Sequence, residues 1–195
     1  MMEAALASCL LVAAAEMGDK TQLLAFVLAA RLKRPWPILA GIFVATVANH
    51  VLAAGVGSIA GNLIPPAALA WVVGVLFVTF GFWALRPDTL DDEPQPLPRH
   101  GAFVAALTAF FLAEMGDKTQ FATMALAARY QDFVAVVCGT TAGMMIADAP
   151  AVWIGDRLSK VIPVSVMRKV SAALFFVVGA ISLWKATHMG PVTPG

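Results

Sequence analysis

Charge is scarce in this chain: Asp, Glu, Lys and Arg make up 13% of its 195 residues, against about 25% in an ordinary soluble domain. So little charge cannot solvate the surface of a normal water-soluble fold. The net charge is +1 and the basic residues form only short clusters, which excludes the phosphate-tracking stripe of a nucleic-acid binder. Two cysteines, Cys9 and Cys138, and three histidines show no CxxC or Cys/His ligand spacing, so a thiolate or imidazole metal cage is excluded too. Both cysteines fall in apolar runs and are expected to be buried thiols. The chain carries no Lys or Arg before Lys20, so the basic start of a cleaved signal peptide is missing and the first apolar run is expected to stay as a span.

What is abundant is apolar: 60% of residues are hydrophobic and the mean hydropathy is +0.82. The runs are too long for core strands and suit a bilayer, whose hydrocarbon takes about 20 helical residues. Spans are expected at residues 3–30, 37–62, 68–85, 102–128, 132–155 and 168–186, separated by Pro35 and Pro37, Pro65 and Pro66, the stretch from Pro87 to Pro98, and Pro163. Trp36, Trp71, Trp83 and Trp184 fall near span ends, where indoles favour the headgroup layer. The expected fold class is all-α integral membrane, with six transmembrane helices.

A shift of 98 residues lays Ala15–Gln22 on Ala113–Gln120, the same eight residues AEMGDKTQ, and without a gap also pairs Gly41 with Gly139, Pro65 with Pro163 and Gly81 with Gly179. Residues 1–86 and 102–195 are therefore two copies of one three-helix unit, joined by an acidic, proline-rich linker at 87–101. Three spans per unit is an odd number, so the second copy enters the membrane from the opposite side and the repeats are inverted. Nine Lys and Arg residues flank the loops between spans 1 and 2, 3 and 4, and 5 and 6, while only Arg129 and Lys185 lie on the other side. The nine-residue side is expected to be cytoplasmic and both termini outside. The linker, with Asp88, Asp91, Asp92 and Glu93, is expected to be a solvated connector; the alternative is an acidic collar that attracts cations.

Glu16 to Thr21 and Glu114 to Thr119 fall in the middle of the first and fourth spans. Each ionised group at that depth costs at least about 2.5 to 3.5 kcal/mol on insertion scales, so six retained charges need a reason. In a continuous helix Glu16 and Asp19 stand three apart and Glu16 and Lys20 four apart, so one turn presents two carboxylates beside an ammonium. Glu114, Asp117 and Lys118 repeat the pattern. Brought together on the axis, four carboxylates and two ammonium groups leave a net −2, matched to one divalent cation. Carboxylates are hard oxygen ligands, suited to magnesium, calcium or manganese. Thr21, Gln22, Thr119 and Gln120 can add neutral oxygens, while Met17 and Met115 are expected to pack. Gly18 and Gly116 weaken the helix and leave a break open. Asp148 is a separate buried acid that the repeat aligns with His50, beside Asn49; these are candidates for handling protons or supporting the site. Gly57-x-x-x-Gly61 and Gly139-x-x-x-Gly143 are expected to be close helix contacts.

Other readings stay in view: a neutralising charge network that only locks helices together, a proton-coupled exporter of another small solute, a passive cation channel, and an intramembrane hydrolase using its paired aspartates. The lysines and the symmetric duplication disfavour the last, and the chain is not expected to be an enzyme.

The doubled Glu-Met-Gly-Asp-Lys-Thr resembles the E-x-G-D-[KR]-[TS] signature of the Gdt family of cation/proton exchangers, which includes Golgi calcium and manganese transporters and bacterial manganese exporters. Both copies match in full, and the similarity covers the whole chain. It implies that Glu16, Asp19, Glu114 and Asp117 form the cation site, with Lys20, Thr21, Lys118 and Thr119 completing the motifs. It also implies Mn2+ as the main transported ion, with Ca2+ as the second choice, protons as the exchanged partner and a bacterial inner membrane as the location. No prosthetic group is expected, and assembly into a homo-oligomer stays open.

Overall fold

The computed structural model describes residues 1–86, 101–154 and 164–189. The acidic residues of the linker, together with Asp156 and Arg157, lie outside the described residues. Among those described, every regular element is helical: α1 Met2–Glu16, α2 Lys20–Leu32, α3 Pro35–Leu63, α4 Pro66–Ala84, α5 Gly101–Glu114, α6 Lys118–Tyr130, α7 Phe133–Ile154 and α8 Val164–His188. Prolines open α3 and α4, where a missing N–H costs nothing. α2 and α6 end identically, on the left-handed residues Lys33 and Gln131, whose N–H groups close onto Ala29 and Ala127.

Four helices are long and apolar enough to cross a membrane: α3, α4, residues Phe133–Trp153 of α7 and residues Arg168–His188 of α8; α5 is apolar but shorter. The expected single helices over 3–30 and 102–128 are not formed. Each is two half-helices, interrupted at residues 17–19 and 115–117. Halves of 13 to 15 residues are about 20 Å long, too short to cross a hydrocarbon core of about 30 Å alone, and the pair end to end is long enough.

The helices pack in pairs that the 98-residue shift interchanges. α1 lies on α7 as α5 lies on α3, α2 meets α7 as α6 meets α3, and α4 lies along α8. Glycines set these approaches. A Cβ on Gly41 would stand 2.5 Å from the Phe103 carbonyl oxygen of α5, and one on Gly139 would collide with the Ala5 carbonyl of α1, the equivalent position. Gly81 against Phe176 and Gly179 against Val78 repeat the exchange between α4 and α8. Gly57 and Gly61 seat α3 on Met124 and Ala128 of α6, and Gly143 seats α7 on Cys9 and Ala13 of α1. With backbone rather than a flexible side chain in the way, Gly139→Leu should separate α1 from α7 and cost at least about 1 to 3 kcal/mol, read as a lower unfolding temperature in detergent. Gly55→Leu, at a glycine with open space, should not.

Two hydrophobic cores result. One joins α1, α4, α6, α8 and the start of α7 around Leu11, Phe77, Phe80, Leu126, Val136 and Phe175. The other joins α2, α5, the start of α3 and the end of α7 around Leu28, Ile38, Ile42, Phe110 and Val152. The cysteines differ from expectation: Cys9 is half-buried and Cys138 is exposed. Cys138 sits one residue before Gly139 and so misses the face that α7 buries against α1.

Candidate cation site

The motif sequence itself builds the two interruptions. Gly18 and Gly116 adopt φ of 80° and 75°, a left-handed conformation that costs an L side chain about 1 to 2 kcal/mol, so the helix can turn out of register here. Asp19 and Asp117 are extended and cap α2 and α6. Their N–H groups return to the Glu16 and Glu114 carbonyls at 3.0 and 3.1 Å. The Gly18 N–H donates to Gln22 Oε1 at 2.9 Å, and the Gly116 N–H donates to Gln120 Oε1 at 2.7 Å. The glutamines thus satisfy backbone groups that the break strands. Each carboxylate at a half-helix N-terminus also sits at the positive end of its dipole.

The break corrects the single helical turn expected for Glu16, Asp19 and Lys20. Glu16 ends one helix and Lys20 begins the next, so the three do not share a turn. Their partners come from the other repeat instead. Lys20 Nζ lies 2.9 Å from Asp117 Oδ1, and Lys118 Nζ lies 2.7 Å from Asp19 Oδ1. The repeat shift turns each pair into the other. The Lys118–Asp19 pair is sealed, with Lys118 3% exposed, whereas the Lys20 side chain is 31% exposed.

Oxygens of Glu16, Asp19 and Asp117 lie within 4.8 Å of one another, and all three residues are buried. Three carboxylates this close repel unless cations intervene; two lysines supply part of that charge and leave a negative surplus. Glu16 takes two hydroxyl donors, Thr21 Oγ1 at 2.6 Å and Thr119 Oγ1 from the opposite repeat. Glu114 is buried but outside the three-acid group, and its Oε1 has no hydrogen-bond partner among the described residues. Asp117 Oδ2 is likewise without one. The donor set is oxygen throughout, the preference of hard divalent ions.

The other candidates lie on α2, α3 and α7. Gln22 Nε2 donates to the Ala147 carbonyl at 3.0 Å, tying the first break to α7 beside Asp148. Asp148 is fully buried and neither of its oxygens has a partner among the described residues. Asn49 Nδ2 donates to the Phe111 carbonyl at 3.1 Å, and its Oδ1 has no partner among the described residues. Among the described residues His50 has a single long polar contact, 3.4 Å from Nδ1 to Thr141 Oγ1. Sequence alone missed Arg168 and Ser171. They line a crevice of about 10 Å³, room for roughly one water, with Met17, Gly18, Asp19 and Lys118. Ser171 Oγ also donates to the Ala14 carbonyl at the end of α1. Nothing local marks Ser171, because its equivalent in the first repeat is Val73.

The family model described as "Divalent cation/proton antiporter GDT1" matches twice, at residues 4–92 and 102–190. The chain belongs to this family. The two matches divide it where the repeat does, and each contains one break. A protein of Vibrio cholerae with the printed name "Putative manganese exporter" is 49% identical over 165 residues, covering 84% of this chain and 82% of that one. A GDT1-like protein of Synechocystis is 29% identical over 205 residues, covering 94% and 98%. A GDT1-like protein of Oryza sativa is 27% identical over 90% of this chain and 71% of its own length. No solved structure matches the chain. Membership makes this GDT1-family chain a transporter of divalent cations by class, and its apolar helices fit a multi-pass membrane protein.

Proposed function

We propose that this chain exports Mn2+, with Ca2+ as the second ion, from the cytoplasm of a bacterial cell in exchange for protons by alternating access. Six spans form two inverted repeats, residues 1–86 and 102–195, with 87–101 connecting them on the cytoplasmic side and both termini outside. Glu16, Asp19, Glu114 and Asp117 hold the ion. Lys20 and Lys118 hold the acids in register between ions, and Asp148, with His50 and Asn49, supports proton movement.

The observation that carries this is the reciprocal pairing of Lys20 with Asp117 and Lys118 with Asp19, which gathers three carboxylates where two half-helices from each repeat meet. Irregular backbone inside a hydrophobic bundle is tolerated where it lines a binding site. The interchange of helix contacts by the repeat shift supports the two-fold arrangement. The family description supports protons as the counter-ion. Against an inside-negative potential, export of a doubly charged ion costs about 4.6 kcal/mol per 100 mV, so inward protons are a sufficient source of work.

Purified protein in proteoliposomes should move Mn2+ against its gradient when a proton gradient of opposite direction is imposed. Flux that only dissipates the Mn2+ gradient, unaffected by pH, would mean a channel. Flux of neither Mn2+ nor Ca2+ would remove the cargo assignment.

A further inference from the structure

The two repeats share one motif, yet they are not in the same state. Both threonine hydroxyls reach Glu16: Thr21 from its own repeat and Thr119 from the other. By the repeat shift Glu114 should receive Thr119 and Thr21; it receives neither, and its buried Oε1 lacks a partner among the described residues. The surroundings differ in the same sense. Gly18 is buried at the first break, while Gly116 and Met115 are exposed at the second. Among the described residues α8 packs on α1 with no comparable packing of α4 on α5, and α4 packs on α6 with no comparable packing of α8 on α2. The α4/α8 pair therefore leans on the α1/α6 end of the broken helices, and the core at the α2/α5 end contains neither α4 nor α8.

A two-fold molecule with this asymmetry has a counterpart of equal composition in which the repeats exchange roles. We propose that Thr21 and Thr119 are a pair of hydroxyl latches that hold one glutamate at a time: Glu16 in the arrangement seen, and Glu114 in a counter-arrangement with α4/α8 seated at the α2/α5 end. This rests on the transporter reading and deepens it. A hydroxyl has one proton to donate, so Thr119 cannot serve both acids at once. The latched glutamate is the one that stands with Asp19 and Asp117 in the three-acid group, and the unlatched one lies outside it. Thr21 and Thr119 are positioning residues in this scheme, and redirection of their hydroxyl hydrogen bonds from one carboxylate to the other marks the passage between arrangements.

The repeat shift names the contacts that report each arrangement. Ser171 and Ala14 touch in the one seen, and their equivalents Val73 and Leu112 should touch in the other. In full-length protein carrying Cys9→Ala and Cys138→Ala in nanodiscs, disulfide formation is measured for Ala14→Cys with Ser171→Cys and, separately, for Leu112→Cys with Val73→Cys. Glu16→Ala should raise the second cross-link relative to the first by about tenfold, and Glu114→Ala should lower it by a similar factor. Thr21→Val with Thr119→Val should erase that difference, and Thr21→Ser with Thr119→Ser should restore it. Equal responses to the two glutamate variants, a difference that survives the valines, or a second pair that never cross-links would each overturn the latch. Mn2+ flux is followed in parallel. Reciprocal cross-linking without Mn2+ flux upholds the latch for another cargo, and Mn2+ flux without reciprocity removes the latch alone.

Discussion

Asp117→Asn should reduce Mn2+ flux at least about 100-fold while leaving the protein folded, and Glu16→Gln should do the same. Each change preserves shape and removes one unit of charge from the cluster where three acids lie within 4.8 Å. A pair of unit charges about 4 Å apart is worth about 4 kcal/mol at an effective dielectric of 20, and a divalent ion doubles it. A 100-fold loss corresponds to only about 2.8 kcal/mol, so the expected effect is a lower bound. Folding should survive, because at position 16 the amide oxygen still accepts from one threonine while the amide N–H can donate to the hydroxyl oxygen of the other, and Lys20, at 31% exposure, can reach water when Asp117 is neutralised. Flux in proteoliposomes and elution as a single folded species are the two measurements. Full flux in both variants would place the ion elsewhere.

Lys118→Met should be the most destabilising of the motif substitutions. Lys118 is buried 2.7 Å from Asp19, and removing one member of a buried ion pair typically costs about 3 to 5 kcal/mol. Lys20→Met, made at a partly exposed ammonium, should cost well under half as much because solvent already screens that pair. Adding Asp19→Asn to Lys118→Met should recover most of the loss, since a pair removed together leaves no orphan. That double variant also separates glue from cargo. If the charges serve only to lock helices, it should be both stable and active; if Asp19 holds the ion, it should be stable and inactive. Thermal unfolding in detergent and Mn2+ flux on the same preparations give both answers.

The sequence carried much of this because the motif is duplicated without a gap. Eight identical residues at a 98-residue interval marked both motifs, named the acids and paired Gly41 with Gly139, which the structure places at equivalent approaches to α5 and α1. The break itself was less legible. A glycine inside a helix costs only about 1 kcal/mol relative to alanine, too little to distinguish a weak point from a rupture. The signal lay in Gln22 and Gln120, each placed to cap the N–H of the glycine four residues earlier, and in an apolar run of 28 residues where about 20 suffice. Pairing across repeats was beyond local reasoning. Spacing gave Lys20 a neighbour in Glu16 on its own turn, whereas the turn does not exist and the partner is Asp117. Nor could identical motifs foretell unequal states, since which of Glu16 and Glu114 receives the shared hydroxyls is set by the surroundings and not by the motif.

The crossed lysine–aspartate pairs also constrain how the molecule is made. Translation yields about 5 to 20 residues per second, so the second motif leaves the ribosome roughly 5 to 20 s after the first. Throughout that interval Asp19 and Lys20 lack the partners they have in the finished protein. The first half must therefore wait for its sibling either near the headgroups or beside water within the insertion machinery, and its half-helices can settle at full depth only when the second half arrives.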